Sequence, residues 1–210
     1  MFNFPSFECQ KCQRLLDFRA ENKQKFPSYY NGPVESFGSL AAQILVVGLA
    51  PGLNGANQTN RPFTNDYAGD ILYPALKKFG LAIGTYKKNK NDGFELINVR
   101  VSNAVRCVPP QNKVTAAEIA ACRPYLETEI HNMPNLKIIL SLGLVSHGAV
   151  LQALGYTKAA FKFSHGAIHK LTKHNIVLVD SYHTSRYNIN TGVLTIAMFD
   201  EIIRKLSMLL

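Results

Sequence analysis

Gln43-Ile44-Leu45-Val46-Val47-Gly48-Leu49 is a continuous apolar run of strand length, closed by a glycine and followed by a long polar, Gly-rich segment to Asp70. A strand with one wet face alternates apolar and polar residues. A run without alternation is the pattern of a strand covered on both faces. Three further segments read as strands: Phe94 to Val99, Lys137 to Leu142 and Asn175 to Asp180. Helical patterns separate them. One runs from Asp70 to about Phe79, and one from Gly143 to Leu154, ended by Gly155. Another opens on Thr115-Ala-Ala-Glu118, a capping box, and continues with Ile119, Cys122, Leu126, Ile130 and Met133 as one apolar stripe. Pro124 lies inside that pattern and predicts a kink or a restart. A closing helix over Thr191 to Leu210 would turn Ile196, Phe199, Ile203, Leu206 and Leu210 inward. Phe7 to about Lys23 is a further helical segment, and Tyr29 to Ser39 reads as irregular coil. Strands alternating with helices predict an α/β fold, with a parallel sheet covered on both faces.

With 210 residues, 47% of them hydrophobic, the chain can bury one substantial core, and a single domain over 1–210 is expected. Met1-Phe2-Asn3-Phe4-Pro5 lacks the basic region and apolar run of a signal peptide, and no stretch of eighteen apolar residues exists. A cytoplasmic protein without a membrane partner follows as the expectation. Lys and Arg number 23 against 14 Asp and Glu, a surplus of nine. Such a surplus suits a polyanionic partner, because neutralised phosphates release condensed counterions. Some of it is clustered, in Lys158 through Lys173 and in Lys87-Lys88-Asn89-Lys90, which reads as a solvated turn.

The four cysteines form two pairs, Cys9-x-x-Cys12 and Cys107 with Cys122. In a reducing compartment such a set points to a shared metal site that ties the N-terminal segment 1–40 to mid-chain. Thiolates select zinc or iron–sulfur clusters. The competing reading makes Cys107 and Cys122 small core hydrophobes.

Ligands of open α/β sheets bind beyond the carboxyl ends of the strands. The segments found there carry the unusual residues. After the first strand, Gly48, Gly52 and Gly55 do not make the GxGxxG phosphate turn, no P-loop Lys-Ser/Thr follows, and Pro51 removes a backbone donor. A nucleotide cofactor is therefore not expected. The other segments are Asn98 to Pro110, Ser141-Leu-Gly143 and Asp180 to Gly192. In the last of these, His183 follows directly on a buried strand.

Three motifs then carry a resemblance. They are Gly48-Leu-Ala-Pro-Gly52 running to Gly55-Ala-Asn57 and Arg61-Pro-Phe63-Thr-Asn-Asp66; Asn103-Ala-Val-Arg-Cys107-Val-Pro-Pro110; and His183-Thr-Ser-Arg186 with Asn190-Thr-Gly192. With the order and spacing of the four cysteines, they resemble the iron–sulfur branch of the uracil-DNA glycosylases, and most closely the family 5 (type b) enzymes. The resemblance covers about residue 9 to the C-terminus. It implies a three-layer α/β/α sandwich with a four-stranded parallel sheet. It also implies a structural [4Fe–4S] cluster on Cys9, Cys12, Cys107 and Cys122, in preference to zinc. The implied activity is hydrolysis of the N-glycosidic bond of uracil, and of other deaminated bases, in DNA, by an enzyme expected to act as a monomer.

The residue types suit that chemistry. A base extruded from the duplex must be stacked and read at its edge. Phe63 is the stacking platform, Asn103 reads the uracil edge through one amide, and Gly48, Leu49 and Ala50 line the base site. His183 donates to the departing base, and Asp66 positions or activates water. The alternative for Asp66 is a cap on the following helix. Leu49 stands where the related family 4 enzymes carry an acidic residue. Ser185, Arg186, Tyr187 and Asn188 are expected to grip the strand, with Tyr187 as a wedge. Thr184 replaces the family's usual proline, which loosens the loop. Two alternative functions remain at this level: a DNA-binding relative with little activity, and a zinc-containing α/β hydrolase acting on nucleotides.

Overall fold

The apolar run is a strand, and each of its ladder residues, Ile44 to Gly48, is buried. It is surrounded, in a computed structural model that describes residues 4–210, by seven α-helices, two short 3-10 turns and six further strands among the described residues. Met1, Phe2 and Asn3, which belong to the N-terminal segment read above, lie outside the described residues. In chain order the elements are α1 (Gln13–Lys25), β1 (Ile44–Gly48), α2 (Ala56–Thr59), α3 (Tyr67–Lys78), β2 (Ala82–Ile83), β3 (Glu95–Leu96) and β4 (Val99–Asn103). They continue with α4 (Ala116–His131), β5 (Ile138–Leu142), α5 (Leu144–Ala153), β6 (Ile168–Leu171), β7 (Ile176–Ser181), α6 (Arg186–Asn190) and α7 (Ile196–Met208).

The main sheet has the order β4-β1-β5-β7-β6. Four strands run parallel, as expected, and β6 adds an antiparallel edge strand beside β7. Alternation along β1 sorts its side chains between two cores. Ile44 and Val46 pack with Leu72, Leu76, Phe199 and Ile203 from α3 and α7. Leu45 and Val47 pack with Leu126, Ile130, Val150 and Leu151 from α4 and α5. The result is a three-layer α/β/α sandwich. No helix is long and apolar enough to cross a membrane among the described residues.

Four expectations need correction. The second strand is Val99–Asn103, whereas Glu95–Leu96 forms a two-residue hairpin with Ala82–Ile83. Asn98 takes a left-handed conformation (φ 60°) and breaks the run between them. Polar Arg100, Ser102 and Asn103 are nonetheless buried, Arg100 and Ser102 because Glu129 of α4 accepts from Arg100 Nε and Ser102 Oγ at 2.6 Å each. The first helix starts at Gln13 with Cys12 at its N-cap, so Cys9 precedes the helix and does not share its face. The closing segment is two helices: α6, then α7 capped by Thr195 Oγ1, which accepts from Met198 N. Phe199, Ile203 and Leu206 face inward with Ile202, while Ile196 and Leu210 are exposed. Finally, of the two outcomes expected at Pro124 the restart is excluded, because α4 runs on through it as one helix. Its capping box is present, with Glu118 N donating to Thr115 Oγ1 and Thr115 N to the Glu118 carboxylate.

Candidate active site

β1 and β4 end side by side, with Gly48 and Asn103 as register partners. The ladder continues past them through Ala104 N to Gly48 O and Val105 N to Leu49 O, which fixes where Leu49 and Ala50 turn away. A β-carbon on Gly48 would lie 2.5 Å from both the Asn103 carboxamide oxygen and the Phe63 ring. Gly48 thus lets the Asn103 amide and the Phe63 ring meet over one strand end.

Phe63 is 6% exposed and belongs to the main core, yet it also lines the adjoining cavity. Phe63 is thus at once a core residue and part of the cavity wall. Its backbone is left-handed (φ 57°), a conformation that a bulky residue holds only when its surroundings enforce it. Tyr86 OH donates to Phe63 O at 3.3 Å, Arg61 Nε donates to Thr64 Oγ1 at 2.6 Å, and Tyr73 OH bonds Pro62 O. Across the cavity stands the His183 ring, 6.3 Å from the Phe63 ring between centroids and 27° from parallel.

Asp66 occupies the N-cap position of α3, but its side chain does not cap the helix. It turns back, and Oδ2 accepts from Ala56 N at 3.3 Å, with a further backbone donor at Gly52. β-Carbons on Gly52 and Gly55 would come within 2.4 and 2.0 Å of its carboxylate. The glycines of the first motif therefore cradle a carboxylate of the protein itself. Burial raises the Asp66 pKa to about 6, against the two backbone donors that favour the anion. Burial also lowers the His183 pKa to about 4, which leaves a neutral imidazole at physiological pH.

Leu49, Ala50, Phe63, Asp66, Asn103 and His183 converge on one cavity of about 390 Å³. Ser185 and Arg186 reach its rim. Three lining residues escaped the sequence reading: Tyr67, Ala68 and Asn112. Asn112 is left-handed (φ 56°), and Pro109-Pro110 before it was the available signal for such a turn.

The segment after His183 is more ordered than its sequence suggests. Thr184 is fully buried, and its Oγ1 donates to Ala68 O in the first turn of α3 at 3.3 Å. Asn188 Nδ2 donates to His183 O at 2.8 Å, and Ser185 Oγ caps α6 by accepting from Asn188 N. Ser185 and Asn188 thus already serve the loop's own structure. Arg186 lies over the Tyr67 ring at 5.1 Å, and Tyr187 is 74% exposed.

Behind the pocket, Cys9, Cys12, Cys107 and Cys122 pack around Leu15, Val105 and Tyr125. Burial pushes the Cys12 thiol up to about 11 and the Cys107 thiol up to about 12, and neighbouring Cys122 adds to both shifts. Arg19 Nη1 approaches Cys107 Sγ at 3.8 Å, and Cys9 Sγ lies 3.6 Å from the Tyr125 hydroxyl. A second titratable group was not anticipated. The Asp180 carboxylate lies 2.8 Å from His147 Nδ1 and 3.0 Å from His169 Nε2, and Ser141 Oγ donates to it at 2.6 Å. This set braces the end of β7, from which His183 emerges.

A family profile described as "Uracil DNA glycosylase superfamily" matches residues 35–207. A type-5 uracil-DNA glycosylase of Thermus thermophilus is 40% identical over 93% of this chain and 90% of its own length. A type-5 uracil-DNA glycosylase of Pyrobaculum aerophilum is 37% identical over 94% of this chain and 87% of its own length. A type-4 uracil-DNA glycosylase of the same organism is 30% identical over 70% and 67%. The chain belongs to the uracil DNA glycosylase superfamily, where it groups with the type-5 proteins.

Proposed function

We propose that this protein removes uracil, and other deaminated bases of similar edge, from DNA by hydrolysing the N-glycosidic bond. The observation that carries the reading is the meeting of Phe63, Asn103, His183 and Asp66 on one cavity, with Asp66 shielded enough to hold its pKa near 6. An extruded base stacks on Phe63, and the Asn103 amide supplies both an acceptor and a donor to its edge. Cleavage of the C1′–N1 bond leaves the electron pair on the base, and neutral His183 donates a hydrogen bond to the base oxygen where that charge develops. The sugar becomes cationic. The Asp66 carboxylate stabilises it and orients a water molecule, whose oxygen bonds C1′ while its proton passes to Asp66. The base leaves as its anion and takes up a proton from solvent, to which Asp66 releases the one it accepted, so the products are a free base and an abasic site.

The four thiols gather around Leu15, Val105 and Tyr125 and form a soft donor set of the kind that holds a [4Fe–4S] cluster, and the likeness to the type-5 enzymes favours that cluster over zinc. When bound, the cluster would cross-link the N-terminal segment to the strand β4 exit and to α4, and the hydrolysis needs no electron from it. The setting in which such an enzyme acts is the cytoplasm, as a monomer on DNA.

The test is incubation with a uracil-containing duplex followed by alkaline cleavage at abasic sites. Strand breaks at the uracil are expected. Their absence at excess enzyme leaves a DNA-binding protein without the activity. Metal analysis tests the cofactor: about four irons per chain in a coloured protein are expected, whereas zinc in a colourless protein overturns the cluster.

A further inference from the structure

The turn Lys87-Lys88-Asn89-Lys90 takes no part in the pocket chemistry, yet the fold does not leave it as a loose solvated loop. The fully buried Asp92 carboxylate accepts from Arg61 Nη1 at 2.8 Å and Nη2 at 2.9 Å. It also accepts from the backbone N–H groups of Lys87 and Phe94 at 2.9 and 3.0 Å. Arg61 Nη1 reaches Lys90 O at 3.5 Å as well. Arg61 therefore fixes the lysine turn with one end of its guanidinium and, through Thr64, the loop of Phe63 with the other. Lys88 Nζ adds a contact to Asp70 of α3 at 2.8 Å.

This turn forms one wall of an open groove of about 610 Å³. The opposite wall carries Tyr29, whose ring stacks on Phe26 at 4.9 Å and 16°, and the groove is also lined by Gln58 and Asn65. Asn65 directly precedes Asp66, so the groove begins where the wall of the base cavity ends. No carboxylate lines it, and among the described residues neither Lys87 nor Lys90 makes an ion pair. Its lining thus includes two uncompensated ammonium groups, two phenols, hydroxyls and side-chain amides on a rigid frame. That set matches a chain of phosphodiesters, which are anionic, regularly spaced and rich in acceptors.

We propose that this groove is a second DNA-binding site, which takes the sugar–phosphate backbone of the strand that carries the extruded nucleotide, with Lys87 and Lys90 as phosphate ligands. The inference rests on the reading of the protein as a DNA enzyme. Because Arg61 joins the two sites, the backbone is gripped at a fixed distance from the Phe63 platform.

The test is the salt dependence of binding to a duplex with a single tetrahydrofuran abasic analogue, which needs no catalysis. For Lys87→Gln/Lys90→Gln, the slope of log K against log salt concentration is expected to fall in magnitude by about two, since each B-DNA phosphate contact contributes about 0.9. Lys137→Gln, at the opposite end of the sheet, is expected to leave the slope as it is. Thermal melting confirms that the variants are folded. Equal slopes for wild type and the folded double variant overturn the proposal. Uracil excision by wild type is measured in parallel. A slope difference without excision sinks the glycosylase reading and keeps the groove, and excision with equal slopes does the reverse.

Discussion

A β-carbon on Gly55 would lie 2.0 Å from the Asp66 carboxylate, although the two residues stand eleven positions apart on different sides of α2. The carboxylate can occupy the cavity wall only because that carbon is missing. Gly55→Ala is therefore expected to leave a folded protein in which Asp66 is displaced by about 1 Å or more. Misplacement on that scale costs on the order of 10²-fold in rate. Single-turnover excision with saturating protein measures it. An unchanged rate would show that Asp66 does not act from this position.

The same carboxylate links activity to stability. Its pKa is raised to about 6 from 3.8, so the native state holds the proton more tightly than the unfolded chain. The sign follows: below about pH 4 the protonated carboxyl incurs no penalty, and stability is lost as pH rises through about 6. Asp66→Asn removes this loss. It is expected to melt above wild type at pH 8, by on the order of 2 kcal/mol at most given the partial exposure of the site, and to match wild type at pH 4. Excision runs the other way, with kcat/KM of wild type rising through about pH 6 as the base ionises. His183, lowered to about 4, gives no limb in that range. Melting curves and a rate profile across pH 4 to 8 check both signs. Asp66→Asn without a pH-dependent stability gain would place the shift elsewhere.

These two predictions use a residue that the sequence made visible, and the contrast with what it hid is instructive. β1 was legible because all five of its residues are buried with no polar interruption. β4 was not, because Arg100 and Ser102 read as surface until Glu129 supplies partners 29 and 27 positions later. Pairing at that separation leaves no local pattern. β6 is an edge strand with exposed Ile168, and its one diagnostic contact is His169 to Asp180 on the next strand. The break before α7 is local, a threonine cap after Gly192, and it was obscured by the apolar spacing on both sides. In the pocket, Phe63, Asn103 and His183 each follow a strand or motif that announces them. Asn112 sits on a turn whose approach to the cavity only the fold determines.

Thr184 tests how firmly His183 is held. The family's usual proline restricts this position through its ring, whereas here a buried hydroxyl bonds Ala68 O at 3.3 Å. Thr184→Val keeps the shape and deletes the bond, which contributes about 1 kcal/mol. On the role proposed for His183, donation to the base as charge develops, the loss is expected in kcat, about three- to tenfold, with KM little changed. Thr184→Pro is expected to recover most of it. A loss confined to KM, or one that proline does not relieve, would separate the hydroxyl from the placement of His183.

Tyr187 presents the largest exposed aromatic side chain near the cavity, at 74% exposure on α6, three residues after the buried Thr184 anchor. A ring held out from a fixed loop beside a base cavity can fill the gap that an extruded base leaves in a duplex, offsetting part of the unstacking cost. Single-stranded DNA has no such gap to refill. Tyr187→Ala is thus expected to slow excision from duplex DNA about tenfold and to leave excision from a single-stranded uracil oligonucleotide within about twofold, since unstacking costs a few kcal/mol that only the duplex must supply. Tyr187→Phe should behave as wild type, because the ring and not the hydroxyl does the filling. Equal losses on both substrates would instead make Tyr187 a stacking or backbone contact used by either form of DNA.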